Sequence, residues 1–162
     1  MNVARKNQGR GRIREAELPP VSTFMIRDFN LANDYDAVLA LWRSAGPGVH
    51  IGLSDTREEI ARKLERDPDL FLVAEDAGRI VGSVMGGWDG RRGTVYHLAV
   101  AAEHRGRGVG LALMNELESR LRAKGCYKYY LQVTSDNEDV MRFYEKLGWT
   151  RSPNIFMSKT LG

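Results

Sequence analysis

Apolar positions along this chain recur with two periods, and the switches between them mark out alternating strands and helices. A first strand pattern runs near Phe24 to Phe29. It is followed by an amphipathic helix with Val38, Leu39, Leu41 and Trp42 on one face, closed by Gly46. The segment Ser44 to Ser54 holds Gly46, Pro47, Gly48 and Gly52 and is expected to be mobile. A second helix starts near Thr56, with Glu59 in the capping-box position, buries Ile60 and Leu64, and stops at Asp67-Pro68. Three strand patterns come next, Leu70 to Glu75, Arg79 to Trp88 and Thr94 to Val100. The separators Asp76-Ala77-Gly78 and Asp89-Gly90-Arg91-Arg92-Gly93 are short and carry glycine, so they predict hairpins and an antiparallel meander.

Beyond the meander, a helix carries Leu113, Leu117 and Leu121 on one stripe and ends at Gly125. A strand over Tyr127 to Val133 sets Tyr127, Tyr129, Leu131 and Val133 against Lys128, Tyr130 and Gln132 on the other face. A final helix spans roughly Glu138 to Leu147 before Gly148, and a last strand is expected near Asn154 to Thr160. The order β, α, α, β, β, β, α, β, α, β predicts an α/β (α+β) domain, a mixed sheet with helices on both sides.

The length of 162 residues suits one domain, assigned to 23–162. Residues 1–22 are expected to form a disordered basic tail. Residues 1–24 hold Arg5, Lys6, Arg10, Arg12 and Arg14 against Glu15 and Glu17, which accounts for the net charge of +3. The remainder is balanced, so no nucleic-acid partner is expected for the folded domain. No apolar run is long enough for a membrane span, and no apolar segment follows the first charges as a secretory signal requires. A cytoplasmic location is expected, and the lone Cys126 agrees with it. His50, His97 and His104 lack metal-ligand spacing, so no metal is expected.

The candidate chemistry lies in Arg105-Gly106-Arg107-Gly108-Val109-Gly110, between a strand ending at Val100 and a helix starting near Gly108. Amides at a helix start have no intrahelical partner and sit at the positive end of the dipole, where a pyrophosphate can satisfy them. Composition alone is no signal, because Gly9-Arg10-Gly11-Arg12 repeats it without a strand or helix around it. A dinucleotide fingerprint would place its first glycine directly after the strand, whereas Ala101 to Arg105 intervene here. A Gly-Lys-Ser/Thr phosphate loop is absent.

Leu98-Ala99-Val100, a short link and the glycine-rich run together resemble the GNAT superfamily of N-acetyltransferases. A second block resembles it too: Asn137, then Tyr144-Glu145-Lys146-Leu147-Gly148-Trp149. The likeness spans about residues 25 to 160 and is nearest to YpeA-like proteins and the ribosomal-protein N-terminal acetyltransferases. It implies the GNAT acyl-CoA N-acyltransferase fold, a mostly antiparallel sheet of six to seven strands flanked by about four helices. It implies acetyl-CoA as cosubstrate and an amine as acceptor, with a homodimer left open. Backbone groups of Leu98, Ala99 and Val100 would pair with the pantetheine arm in a splayed gap beside the Tyr127 to Val133 strand. Amides of Arg105, Gly106, Arg107, Gly108, Val109 and Gly110 would hold the pyrophosphate, Asn137 would contact the cofactor, and Tyr144 would protonate the leaving thiolate. From the residues alone, Tyr144 also fits a core stripe with Val140 and Leu147, and Asn137 also fits a helix cap. Cys126 has no evident base partner and is read as structural.

Direct attack on a thioester needs a neutral amine. Deprotonating a lysine at pH 7 costs about 4.6 kcal/mol, an α-amine about 1.4 kcal/mol. The glutamate that serves as base in the ribosomal-protein enzymes falls at Gln132 here, and an amide cannot take that proton. Tyr96, His97, Glu75 and His50 are the alternatives, with His97 the working base. A bulge in the fourth strand, as in the family, would change which of Tyr96 and His97 faces the cleft.

Overall fold

The computed structural model describes residues 23–46 and 48–161. The basic tail expected over residues 1–22 lies outside them. Six strands, β1 (Met25–Asp28), β2 (Phe71–Asp76), β3 (Arg79–Trp88), β4 (Gly93–Val95), β5 (Ala99–Val100) and β6 (Tyr129–Tyr130), combine with four α-helices. These are α1 (Leu31–Ser44), α2 (Arg57–Arg66), α3 (Val109–Ala123) and α4 (Glu138–Lys146). The sheet runs β1-β2-β3-β4-β6, with β5 also on β3. All pairs are antiparallel except β4 with β6, which is parallel.

The first four residues of β2, Phe71 to Ala74, are fully buried, which explains why its apolar run is continuous rather than alternating. Leu72 and Ala74 face the core under α3, while Phe71 and Val73 face the one under α1 and α2. Phe71 stacks on Phe29 at 4.0 Å between ring centroids. The α3 side depends on missing side chains. A Cβ at Gly82 would lie 2.8 Å from Val109, and one at Gly86 would lie 2.5 Å from Leu117. Helix α3 therefore settles on the backbone of β3, and its stripe of Leu113, Leu117 and Leu121 is buried there.

The helix starts follow the sequence. Asn30 caps α1 through Asn33 N–H at 3.0 Å, and Thr56 caps α2 through Glu59 N–H at 3.3 Å. Glycines end the helical runs at Gly46, Gly125 and Gly148, each at positive φ.

Three strand expectations are corrected. Thr94 to Val100 is broken into β4 and β5 by a bulge. Only Tyr129–Tyr130 of Tyr127 to Val133 satisfies a ladder, because its parallel partner turns away; Tyr127 itself is exposed, with Arg92 over its ring at 4.4 Å. Asn154 to Thr160 joins no strand, and Ile155, Phe156 and Met157 are exposed. Alternation in sequence marks strand capacity, but a ladder also needs an aligned neighbour.

Arg27 clamps the sheet to α1, donating to Asp34 Oδ2 at 2.6 Å and Oδ1 at 3.0 Å, and to Glu75 at 2.8 Å. The Arg27 guanidinium holds the Asp34 carboxyl below its ordinary range despite burial, with Asn30 N–H assisting. A carboxyl depressed in the folded state stabilises above its unfolded pKa and loses that contribution as pH falls through the folded value. Asp34→Asn should therefore cost about 1–3 kcal/mol at pH 7, and the cost should shrink below about pH 4, read by urea unfolding across pH.

Candidate active site

The site is built where β4 and β5 fail to be one strand. Gly86 of β3 pairs with Val95 and Ser83 pairs with Ala99, so Val84 and Met85 face three residues, Tyr96, His97 and Leu98. The extra residue is a β-bulge, still anchored by Tyr96 N–H to the Met85 carbonyl at 2.8 Å. Beyond the last β4–β6 pair, Thr94 with Tyr130, the two parallel chains separate: β5 stays on β3 and Leu131 to Val133 join no ladder. One edge of β5 is thus left facing a wedge in the sheet. The Val100 carbonyl accepts from Arg105 Nε at 3.1 Å.

A short 3-10 turn, Ala102–His104, carries the chain from β5 to the glycine-rich run. Gly106 (φ +74°) and Gly108 (φ +84°) adopt left-handed conformations, with open space where a Cβ would project. Gly108 is the N-cap of α3 and supplies no side-chain cap. The first intrahelical bond is Ala112 N–H to the Gly108 carbonyl at 2.9 Å, so the amides of Val109, Gly110 and Leu111 have no backbone acceptor among the described residues. They lie at the positive end of a 15-residue helix, an arrangement that suits an anion. The Val109 side chain is core, so only its amide is available here. Arg105 acts as a brace, reaching both the Val100 carbonyl and the Ala45 carbonyl, the latter at 3.1 Å. Arg107 is exposed beside it.

Helix α4 supplies Asn137 and Tyr144. Asn137 caps the helix, its side chain accepting from Val140 N–H at 3.3 Å. Tyr144 is 8% exposed, 5.1 Å from the Phe143 ring and 5.7 Å from that of Trp149. Burial pushes its phenol up to about 12, so it carries its proton at neutral pH. Its hydroxyl has no hydrogen-bond partner among the described residues.

On the α1/α2 side of the bulge, a cleft of about 460 Å³ is lined by residues including His50, Asp55, Glu59, Tyr96 and His97. His97 is the organised member. Its Nε2 lies 2.8 Å from Asp55 Oδ1, and its ring meets Trp42 edge-on at 4.6 Å. The Trp42 indole is fixed in turn by its N–H to Ser83 Oγ at 2.9 Å, with both residues buried. Sequence reading missed Asp55, which sits at the end of a glycine-rich linker just before a helix cap and resembles ordinary punctuation. Glu75 is removed from the candidate bases: it pairs with Arg27 and does not line the cleft. Tyr96 lines it at 54% exposure, with no hydrogen bond to His97. Gln132 is exposed. A second cavity of about 320 Å³, lined by Glu118, Leu121, Cys126 and Tyr129 among others, lies at the other end of α3 and shares none of these groups. Among the described residues there is no cluster of three or more His, Cys, Asp or Glu able to hold a metal, and no helix long and apolar enough to cross a membrane.

A bulged strand diverging from its parallel neighbour and leading into an uncapped glycine turn sets an unpaired strand edge beside a helix start suited to an anion. The model of the acetyltransferase (GNAT) family matches residues 35–149, and the chain belongs to that family. It is 46% identical over 129 residues to an acetyltransferase of Pectobacterium atrosepticum, covering 80% of this chain and 90% of that protein. It is 44% identical over 125 residues to one of Sodalis glossinidius, covering 77% and 87%. Among solved structures, Ard1 from Thermoplasma volcanium superposes with a TM-score of 0.66 at 27% identity, covering 80% of this chain and 84% of that one. The PaiA N-acetyltransferase from Thermoplasma acidophilum, in complex with coenzyme A, gives 0.72 at 18% identity, covering 82% and 93%.

Replacing Gly108 by Ala forces a Cβ onto a left-handed residue. It should cost about 1–2 kcal/mol of stability, read by urea unfolding, even though the added methyl meets no neighbour.

Proposed function

We propose that this acetyltransferase moves the acetyl group of acetyl-CoA to a primary amine, a peptide N-terminus or a small amine, by direct attack. The observation that carries this reading is the wedge between β5 and Leu131 to Val133, bounded by the uncapped amides of the glycine turn. The β5 edge there joins no ladder and fits an extended amide-bearing arm, and the amides of the turn fit a diphosphate. Coenzyme A bound by a protein of the same fold supports the same ligand.

On this reading the cosubstrate lies along Leu98, Ala99 and Val100, with its diphosphate over Arg105 to Gly110 and Asn137 within reach from the start of α4. The acceptor enters the cleft beside His97. His97 takes a proton from the amine, whose lone pair forms the nitrogen–carbon bond. The carbon–sulfur bond then breaks, and sulfur takes the Tyr144 proton. The raised pKa of Tyr144 keeps that proton in place at neutral pH. The cleft also carries Arg62, Lys63 and Arg66 beside Asp55 and Glu59, a mixed wall that suits an acceptor bearing both charges.

Calorimetry with acetyl-CoA, run beside thiol release on N-terminal peptides, polyamines and small amines, tests this. Saturable binding and turnover on at least one amine are expected. Tight binding with no turnover on any amine would replace the reading with that of an acyl-CoA-binding regulatory domain. Tyr144→Phe should lower kcat about tenfold or more and leave acetyl-CoA affinity within about twofold; an unaltered rate removes Tyr144 as the acid.

A further inference from the structure

From the geometry around the bulge we infer that Asp55 is a positioning residue: it holds His97 as the Nε2–H tautomer and so makes Nδ1 the nitrogen that takes the proton from the acceptor amine. This deepens the proposed function and rests on its assignment of His97 as base.

The carboxylate of Asp55 is enclosed, with the residue 4% exposed, and both its oxygens are engaged. Oδ2 accepts from Gly52 N–H at 2.8 Å, and Oδ1 lies 2.8 Å from His97 Nε2. An ionised carboxylate only accepts, so the proton in the second contact belongs to Nε2. In the neutral imidazole the lone pair is then on Nδ1, which has no hydrogen-bond partner among the described residues while its ring lines the acceptor cleft. The ring also meets Trp42 in a T-shaped contact at 4.6 Å between centroids, and Trp42 is itself fixed on Ser83.

The segment carrying Asp55 is tied down at its own backbone. Tyr35 donates its hydroxyl to the Asp55 carbonyl at 2.9 Å, and Arg57, two residues on, reaches the Leu31 carbonyl at 3.0 Å. Helix α1 therefore fixes both the Trp42 side of the imidazole and the carboxylate side. His104 offers a contrast within the molecule. It too pairs Nε2 with a carboxylate, Asp76 at 3.1 Å, but its Nδ1 is sealed without a partner. Of the two aspartate–histidine pairs, only the one at the bulge belongs to a ring that lines the cleft, and only at His104 is Nδ1 buried without a hydrogen-bond partner. The proton balance closes: the amine loses one proton to Nδ1 as it forms its bond to carbon, Nε2–H stays on the imidazolium facing Asp55, and after turnover Nδ1 releases a proton to solvent while Tyr144, having given one to sulfur, regains one from solvent.

Asp55→Asn tests this, because the amide keeps the shape, can still accept from Gly52 N–H, and donates to Nε2, inverting the tautomer. In full-length protein labelled with ¹⁵N-histidine, long-range ¹H–¹⁵N correlations should report Nε2–H for His97 in the wild type and Nδ1–H in the variant. The variant's kcat should fall about a hundredfold, with acetyl-CoA affinity within about twofold. An Nδ1–H tautomer in the wild type, or an inverted tautomer with unchanged kcat, would overturn the inference. If the variant does not fold, the wild-type spectrum still decides. Absence of wild-type turnover on every amine would remove the functional reading and with it the role of Nδ1 as proton acceptor, while the tautomer, measured on the same sample, would separately decide whether Asp55 positions the ring.

Discussion

One surplus residue in a strand governs this molecule. With Tyr96, His97 and Leu98 opposite Val84 and Met85, the chain cannot keep both neighbours: β5 stays on β3, and the parallel contact with the Leu131 to Val133 segment is given up. A sheet interior normally satisfies its backbone groups strand by strand, so an interruption in its middle leaves donors and acceptors for something else to satisfy. That edge and the uncapped start of α3 a few residues later stand open side by side.

The bulge also sets the side chains. It turns His97 toward the Trp42 side of the sheet, where the buried Asp55 completes its surroundings. Tyr144 belongs to the opposite core, with Leu113 and Leu117. His97 and Tyr144 thus lie in different layers of the molecule. Asp34, Asp55 and Asp67 are each nearly enclosed, and each answers to a donor: Arg27 and His97 from other parts of the fold, and Lys63 from the last turn of α2, which Asp67 itself closes. A buried carboxylate without such a partner would be costly.

Packing beneath the site depends on glycine in an unusual sense. Gly82 and Gly86 bring α3 against β3 closely enough that the N-terminus of the helix reaches the level of β5. Arg105 then spans from Val100 to Ala45 and fixes the turn against the end of α1. The glycine turn is therefore held by contacts on both sides of the sheet while its amides remain free.

The sequence by itself determined the order of elements, the helix caps and the place of the glycine turn, because each depends on neighbouring residues and on a fixed period. Asn30, Thr56, Gly46 and Gly125 act where local chemistry says they should. The two family blocks located Tyr144, Asn137 and the turn for the same reason: their spacing is short-range. Tertiary structure alone decided that the strand through His97 breaks, that Tyr127 to Val133 pairs for only two residues, that Asn154 to Thr160 forms no ladder, and that Glu75 is spent on Arg27. It alone brought Asp55 to His97, 42 residues apart. A bulge costs one residue of register and leaves no mark in hydrophobic alternation, and a carboxylate in a glycine-rich linker carries no sign of its partner. Such pairings exist only once the layers close on each other.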